Sequence, residues 1–373
     1  MLCVQKHCLK TFSSKLHRYK KPRAKKPRTK KHCTKKHRST QTIERSVHAA
    51  MLMAIPLFAL SLPLASQAQE TTDLTNTVLT ARTADCAAYA GSYHSTVEDH
   101  VNNQRVNGQL IIESDSDRCT FQINQIPNHD FGQNVRWPHK PAQNEETIAI
   151  PRQPAPADKP VPLGLGPAAI MLNGVKWEPN PAACFAVGRD APGRERIGCG
   201  PRLNDHPWRY NIGSQLNNFS FDDYHAHVQK GGMYHYHSTP RVLYTKDAQL
   251  LDDSDCAVSG PSPVIGFALD GYPVYGPCLK DESGVVRSAR SSYVLKTGAR
   301  DDIKGYKTPY VVGDVASADY NGQFVGDFEY VKGAGDLDEC NGATIDDQYG
   351  YYSTNEFPYA LRCLTGTPLM SVR

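Results

Sequence analysis

Four of the chain's fourteen histidines fall in the stretch from residue 224 to 237, Tyr-His-Ala-His-Val-Gln-Lys-Gly-Gly-Met-Tyr-His-Tyr-His. His225/His227 and His235/His237 are each spaced i, i+2, which puts both side chains on one face of a strand and splays them apart on a helix. Clustered imidazoles are costly, because each buried ring needs partners for both nitrogens and the protonated forms repel. A metal ion removes both problems. Neutral imidazole suits zinc, copper, iron and nickel, and His-x-His lets one backbone segment supply two ligands without strain. The alternative is a hydrogen-bonded Tyr/His surface with no ion.

The two short segments that carry the histidine pairs must position these side chains as strands, and the turn between them decides how. A two-residue turn at Lys230-Gly231 pairs His227 with Tyr234 and sends the histidine pairs to opposite faces. A three-residue loop, Lys230-Gly231-Gly232, closed by a glycine in the left-handed region, places His227 opposite His235 and His225 opposite His237. All four imidazoles then share a face, with Tyr234 and Tyr236 on the other. Asp222 and Asp223 stand just before the hairpin. A carboxylate bonded to a ligating imidazole is the usual outer partner of a His-bound metal, so either is a candidate to orient His225, or else a solvated turn residue.

Further candidates lie outside the hairpin. His129 follows the strand 119–123 and is a candidate extra ligand or a plain loop histidine. Asp270, in the Asp270-Gly271 turn after the apolar run 264–269, is a candidate ligand or base, or serves only the hairpin turn. Asp336, Asp338 and Glu339 precede Asn341-Gly342 and offer alternating oxygens that suit calcium, although not in EF-hand order. His94 and His100 have no companion spacing and read as surface residues.

The charge is unevenly distributed. Residues 1–50 hold 16 of the 42 Lys and Arg and one acidic residue, Glu44, and the remainder is acidic by about 11 charges. An acidic body argues against nucleic-acid binding by the folded part. Residues 51–68 carry no charge and end Ser66-Gln67-Ala68, the pattern of a signal peptide cleaved after Ala68 and too short and proline-broken to span a bilayer. The expected organisation is a basic extension over 1–50, with translation starting at or near Met51 or Met53, a signal at 51–68, a flexible polar lead-in at 69–84 and one β domain over 85–368. That makes the mature protein secreted or periplasmic, with no transmembrane segment once the signal is removed.

Eight cysteines follow the signal, and an even number in an exported chain points to four disulfides. Sequential pairing closes the shortest loops: Cys86 with Cys119, Cys184 with Cys199, Cys256 with Cys278, and Cys340 with Cys363. Short alternating or apolar runs at 108–113, 119–123, 168–175, 208–212, 264–269, 291–296, 310–315 and 324–331 read as strands. Prolines crowd 138–167, which reads as a loop wrapping over the body. The expected fold is mainly β: a single large disulfide-stabilised domain, sandwich or barrel-like, with long Pro-rich loops.

Gly-Gly-Met-Tyr-His-Tyr-His resembles the signature of the YHYH domain family of secreted proteins. Ile126-Pro127-Asn128-His129, Pro-Leu-Gly and Leu-Asn-Gly-Val within 162–175, the run from Ile265 to Pro277, Gly335 to Gly342, and Phe357-Pro358-Tyr359 follow the family order over about 120–368. The resemblance implies a family fold and an extracytoplasmic location but no reaction. Family members often carry a histidine before Phe-Pro-Tyr, whereas Tyr349-Gly350-Tyr351-Tyr352 has none. Three functional readings stand: an exported protein holding copper or zinc on the hairpin; a metal-dependent enzyme, oxidative or hydrolytic, with an open metal position; and a metal-free module whose Tyr/His face recognises a polysaccharide or protein.

Overall fold

In the computed structural model, which describes residues 70–370, strict alternation builds the first sheet. The basic tract and the signal-like run lie outside the described residues. The strands are β1 (Thr71–Asp73), β2 (Gly91–Asp99), β3 (Gln104–Ser114), β4 (Arg118–Ile123) and β5 (Glu146–Pro151), paired in that order. All pairs are antiparallel except β1 with β2. Cys119, Phe121 and Ile123 of β4 are buried between exposed Arg118 and Gln122, and they meet Leu110, Ile112, Ile148 and Ile150 of the flanking strands on the same face. A one-residue slip would expose this entire set.

The chain continues through β6 (Pro156–Pro162), β7 (Ala169–Met171), β8 (Lys176–Trp177), β9 (Ala226–Val228), β10 (Tyr234–Tyr236), the short helix α1 (Asp253–Ser259), β11 (Val264–Ala268) and β12 (Pro273–Tyr275). Two ribbons follow: β13 (Cys278–Lys280) with β14 (Val286–Ser288), and β15 (Tyr293–Leu295) with β16 (Phe328–Tyr330). Then come β17 (Gly342–Ile345), β18 (Gln348–Tyr352) and β19 (Cys363–Gly366), the last paired with β6. The second sheet has eight strands in the order β17-β18-β12-β11-β7-β8-β10-β9. Its centre is apolar on both faces, since all five residues of β11 and all three of β7 are buried.

One core joins the sheets. Phe121 of β4 lies 6.3 Å from Phe267 of β11, and Tyr89 meets Phe267 edge-on at 5.6 Å. A smaller aromatic cluster of Phe185, Trp208, Tyr210 and Phe324 holds the long loops together. Disulfides join Cys86 to Cys119, Cys184 to Cys199, Cys256 to Cys278 and Cys340 to Cys363, each between successive cysteines.

The fold is mainly β, but among the described residues no sheet closes into a barrel. The lead-in differs from expectation: β1 pairs with β2, Leu74 is buried, and Val264 donates its N–H to the Ala81 carbonyl at 2.9 Å. The proline-crowded stretch contains β5 and β6, because both sit at sheet margins where a missing N–H costs no central ladder bond. Residues 208–212 and 310–315 make only isolated bridges.

Candidate metal centre

The histidine hairpin closes on three residues. β9 and β10 pair His235 with His227, Tyr234 with Val228 and Tyr236 with Ala226. Gln229 N–H donates to Met233 O at 3.2 Å, and Lys230-Gly231-Gly232 turns with φ of 96° at Gly231 and 85° at Gly232. Glycine is required there: both conformations are left-handed, and a Cβ on Gly232 would stand 2.6 Å from that of Ala142. On its other edge β10 runs parallel to β8, with His235 beside Lys176 and Tyr236 beside Trp177. Glu178, just past β8, donates its N–H to Tyr236 O at 2.9 Å and so comes alongside His237.

Three imidazoles converge. Nε2 of His237 lies 2.9 Å from Nε2 of His235 and 3.0 Å from Nε2 of His227. Nδ1 of His235 is 3.1 Å from the Met233 carbonyl, which only accepts, so the proton sits on Nδ1 and the Nε2 lone pair faces the cluster. Burial pushes the pKa of His227 down to about 3 and that of His235 to about 4. His237 is driven well below its usual value by burial, then by His235 and His227. All three rings are neutral at pH 7, the form that binds a metal. Bonds of about 2.0–2.1 Å place neighbouring ligand nitrogens roughly 3.0–3.4 Å apart, so the rings need to open by only tenths of an ångström around an ion.

The walls of this cluster are aromatic and acidic. Phe221 lies 5.2 Å from the ring of His227 and 5.7 Å from that of His237. Glu178 is 5% exposed, and its Oε2 lies 3.8 Å from Nε2 of His235. Burial raises its pKa to about 7, opposed by Lys176 and reinforced by Glu146. Lys176 is itself buried and paired with Glu146 at 2.9 Å.

The remaining sequence candidates go elsewhere. His225 is not in the cluster. Its carbonyl accepts from His237 N–H at 3.1 Å, so the pairing continues, but a φ of 59° takes its ring off the shared face into a hollow with Asn217 and Phe221. His129 is buried behind the opposite face: Nδ1 donates to Asp130 O at 2.9 Å, and Nε2 accepts from the Tyr236 hydroxyl at 2.6 Å. Asn173 Nδ2 donates to that hydroxyl at 2.9 Å and to Asn128 Oδ1 at 3.1 Å. Asp222 orients no imidazole among the described residues; it accepts from the Tyr234 hydroxyl at 2.8 Å and from the Gly132, Tyr224 and Ala226 N–H groups. Asp223 is exposed.

Asp270 is fully buried and apart from the cluster, accepting from the Tyr351 hydroxyl at 2.6 Å and from Gly366 N–H at 2.8 Å. Of the carboxylates assigned to calcium, Asp336 takes a two-point grip from Arg287 at 2.7 Å. Asp338 accepts from Cys340 N–H, Gly342 N–H and the Tyr349 hydroxyl, each at 2.9 Å, and Glu339 is exposed. Sequence reasoning missed Glu178 and Phe221. The i, i+2 spacing of Lys176 and Glu178 after the Asn173-Gly174 turn was the available signal, but the parallel pairing that brings them to His235 is not written locally.

The hairpin, its glycine loop and Glu178 all fall inside residues 147–366, the span matched by the family model described as YHYH protein. The chain belongs to the YHYH protein family. His129 lies outside the matched span, although it supports the signature's Tyr236 from behind. No curated protein and no solved structure matches the chain. Among the described residues no helix is long and apolar enough to cross a membrane.

Proposed function

We propose that this YHYH family member is an exported protein that holds one copper(II) or zinc(II) ion through Nε2 of His227, His235 and His237. The observation that carries this reading is the convergence of three neutral imidazoles, those of His235 and His237 buried and that of His227 half-buried, whose Nε2 atoms approach one another to 2.9 and 3.0 Å. Neutral nitrogens pressed together in this way are poor partners for each other. His235 has no proton to give from Nε2, and His237 Nε2 is shared by both contacts, so at most one of the two is a full hydrogen bond and the other brings nitrogens together without one.

Nitrogen donors without thiolate match copper(II) and zinc(II) by ligand preference. The eight cysteines of the described residues are all in disulfides, which fits an oxidising compartment and removes them as competing ligands. The test is elemental analysis of protein produced by an oxidising export route, alongside a variant carrying H235A and H237A. The reading requires about one copper or zinc per wild-type chain, lost in a variant that keeps its disulfides. Wild-type protein that holds no stoichiometric metal after reconstitution would leave the Tyr/His surface as a metal-free recognition face.

A further inference from the structure

Beside the three imidazoles lies a buried carboxylate whose contacts are all long. Oε2 of Glu178 is 3.5 Å from Gln229 Nε2 and 3.8 Å from His235 Nε2, and Oε1 is 3.9 Å from Lys176 Nζ. A normal N–H···O bond is about 2.7–3.2 Å, so none of these contacts satisfies it. The nearest ammonium is committed elsewhere, because Lys176 Nζ sits 2.9 Å from Glu146 Oε2, an atom that also accepts from Gln125 at 2.7 Å. Glu178 is thus left without a short hydrogen bond and without a cationic partner of its own.

Resting on the metal-centre reading above, we propose that Glu178 is the fourth protein ligand of the ion held by His227, His235 and His237, making a closed site of three nitrogens and one oxygen for a divalent cation. Adjacent ligands of a four-coordinate ion with bonds of about 2.0–2.2 Å stand roughly 3.4 Å apart. The 3.8 Å from Glu178 Oε2 to His235 Nε2 is close to that edge. The carboxylate lies outside the tight imidazole group and reaches the ion by turning about its side-chain bonds, which no short hydrogen bond opposes. Glu146 cannot take this place, since Lys176 and Gln125 hold its carboxylate. An anionic oxygen favours a divalent ion over copper(I), and filling the fourth position excludes the water that three imidazoles alone would admit.

The full chain, wild type and E178Q, is stripped with chelator and titrated with cobalt(II), whose visible absorption reports coordination number. Wild type is expected to bind one cobalt with the strong absorption of a four-coordinate site and to ignore added azide. E178Q is expected to bind on the order of 10–100-fold more weakly, with a changed spectrum that azide shifts further. E178D keeps an oxygen ligand one methylene shorter and serves if E178Q does not fold; it is expected to retain cobalt with a displaced spectrum. Unchanged affinity, spectrum and azide response in the variant would overturn the role of Glu178 while leaving the imidazole centre standing. A wild-type chain that binds no cobalt, zinc or copper would overturn both.

Discussion

The two faces of β10 differ in how completely their polar atoms are matched. On the tyrosine face, Tyr234 donates to Asp222, while Tyr236 donates to His129 and accepts from Asn173. Asp222 takes three further N–H groups, and His129 uses its second nitrogen on a carbonyl. On the histidine face, three Nε2 atoms find mainly one another, and Glu178 finds nothing within ordinary hydrogen-bond length. Both faces are buried and lie on one three-residue strand, so burial alone does not separate structure from function. A saturated network rigidifies a fold, whereas an unsaturated one of matched donor type supports the metal site proposed above.

Substitutions on the two faces should therefore move different observables. The largest effect expected is on affinity: H237A removes the imidazole in contact with both others, and copper or zinc binding should weaken by more than about 100-fold in a competition titration. Next, chelation should lower the stability of wild type by about 2.7 kcal/mol at a free-metal level 100 times Kd, read as the difference between urea unfolding curves, and should not change H237A. Y236F is expected to cost about 1–3 kcal/mol in urea, since it leaves His129 Nε2 and one Asn173 N–H without a buried partner, while metal content stays at the wild-type level. The smallest effect is at the turn. G232A forces a left-handed alanine against Ala142 and should cost about 1 kcal/mol or more with a modest loss of metal affinity, read by the same two assays. A Y236F chain that lost its metal, or an H237A chain that kept it, would dissolve the distinction between the faces.

Much of the hairpin was legible because strand geometry is local. The i, i+2 histidines announce a shared face, but the sequence left the two-residue turn and the three-residue loop open, and the structure adopts the latter. His225 escaped that logic: its spacing matches His227, but its backbone is left-handed, and side-chain alternation fails at such a residue. His129 is as buried as a ligand would be yet lies behind the tyrosine face, a matter of which sheet face its loop meets. Asp270 belongs to its turn and to Tyr351. Glu178 was invisible because its approach to His235 depends on a parallel pairing between β8 and β10, distant in sequence.

The same contrast holds across the fold. Alternating runs such as 108–113 and 119–123 became β3 and β4 because their apolar residues have a common core to face. Successive cysteines paired as the shortest loops would. The strands β5 and β6 were obscured by prolines that only a sheet margin tolerates, and β1 by a polar sequence that pairs through its backbone.

The most direct test of the central claim is a count of the imidazoles around the ion. X-ray absorption at the copper or zinc edge of the loaded wild-type chain should give three imidazole nitrogens at about 2.0–2.1 Å and one further oxygen, with no sulfur. A spectrum without imidazole scattering, or one dominated by sulfur, would place the metal elsewhere and contradict the assignment of the histidine face.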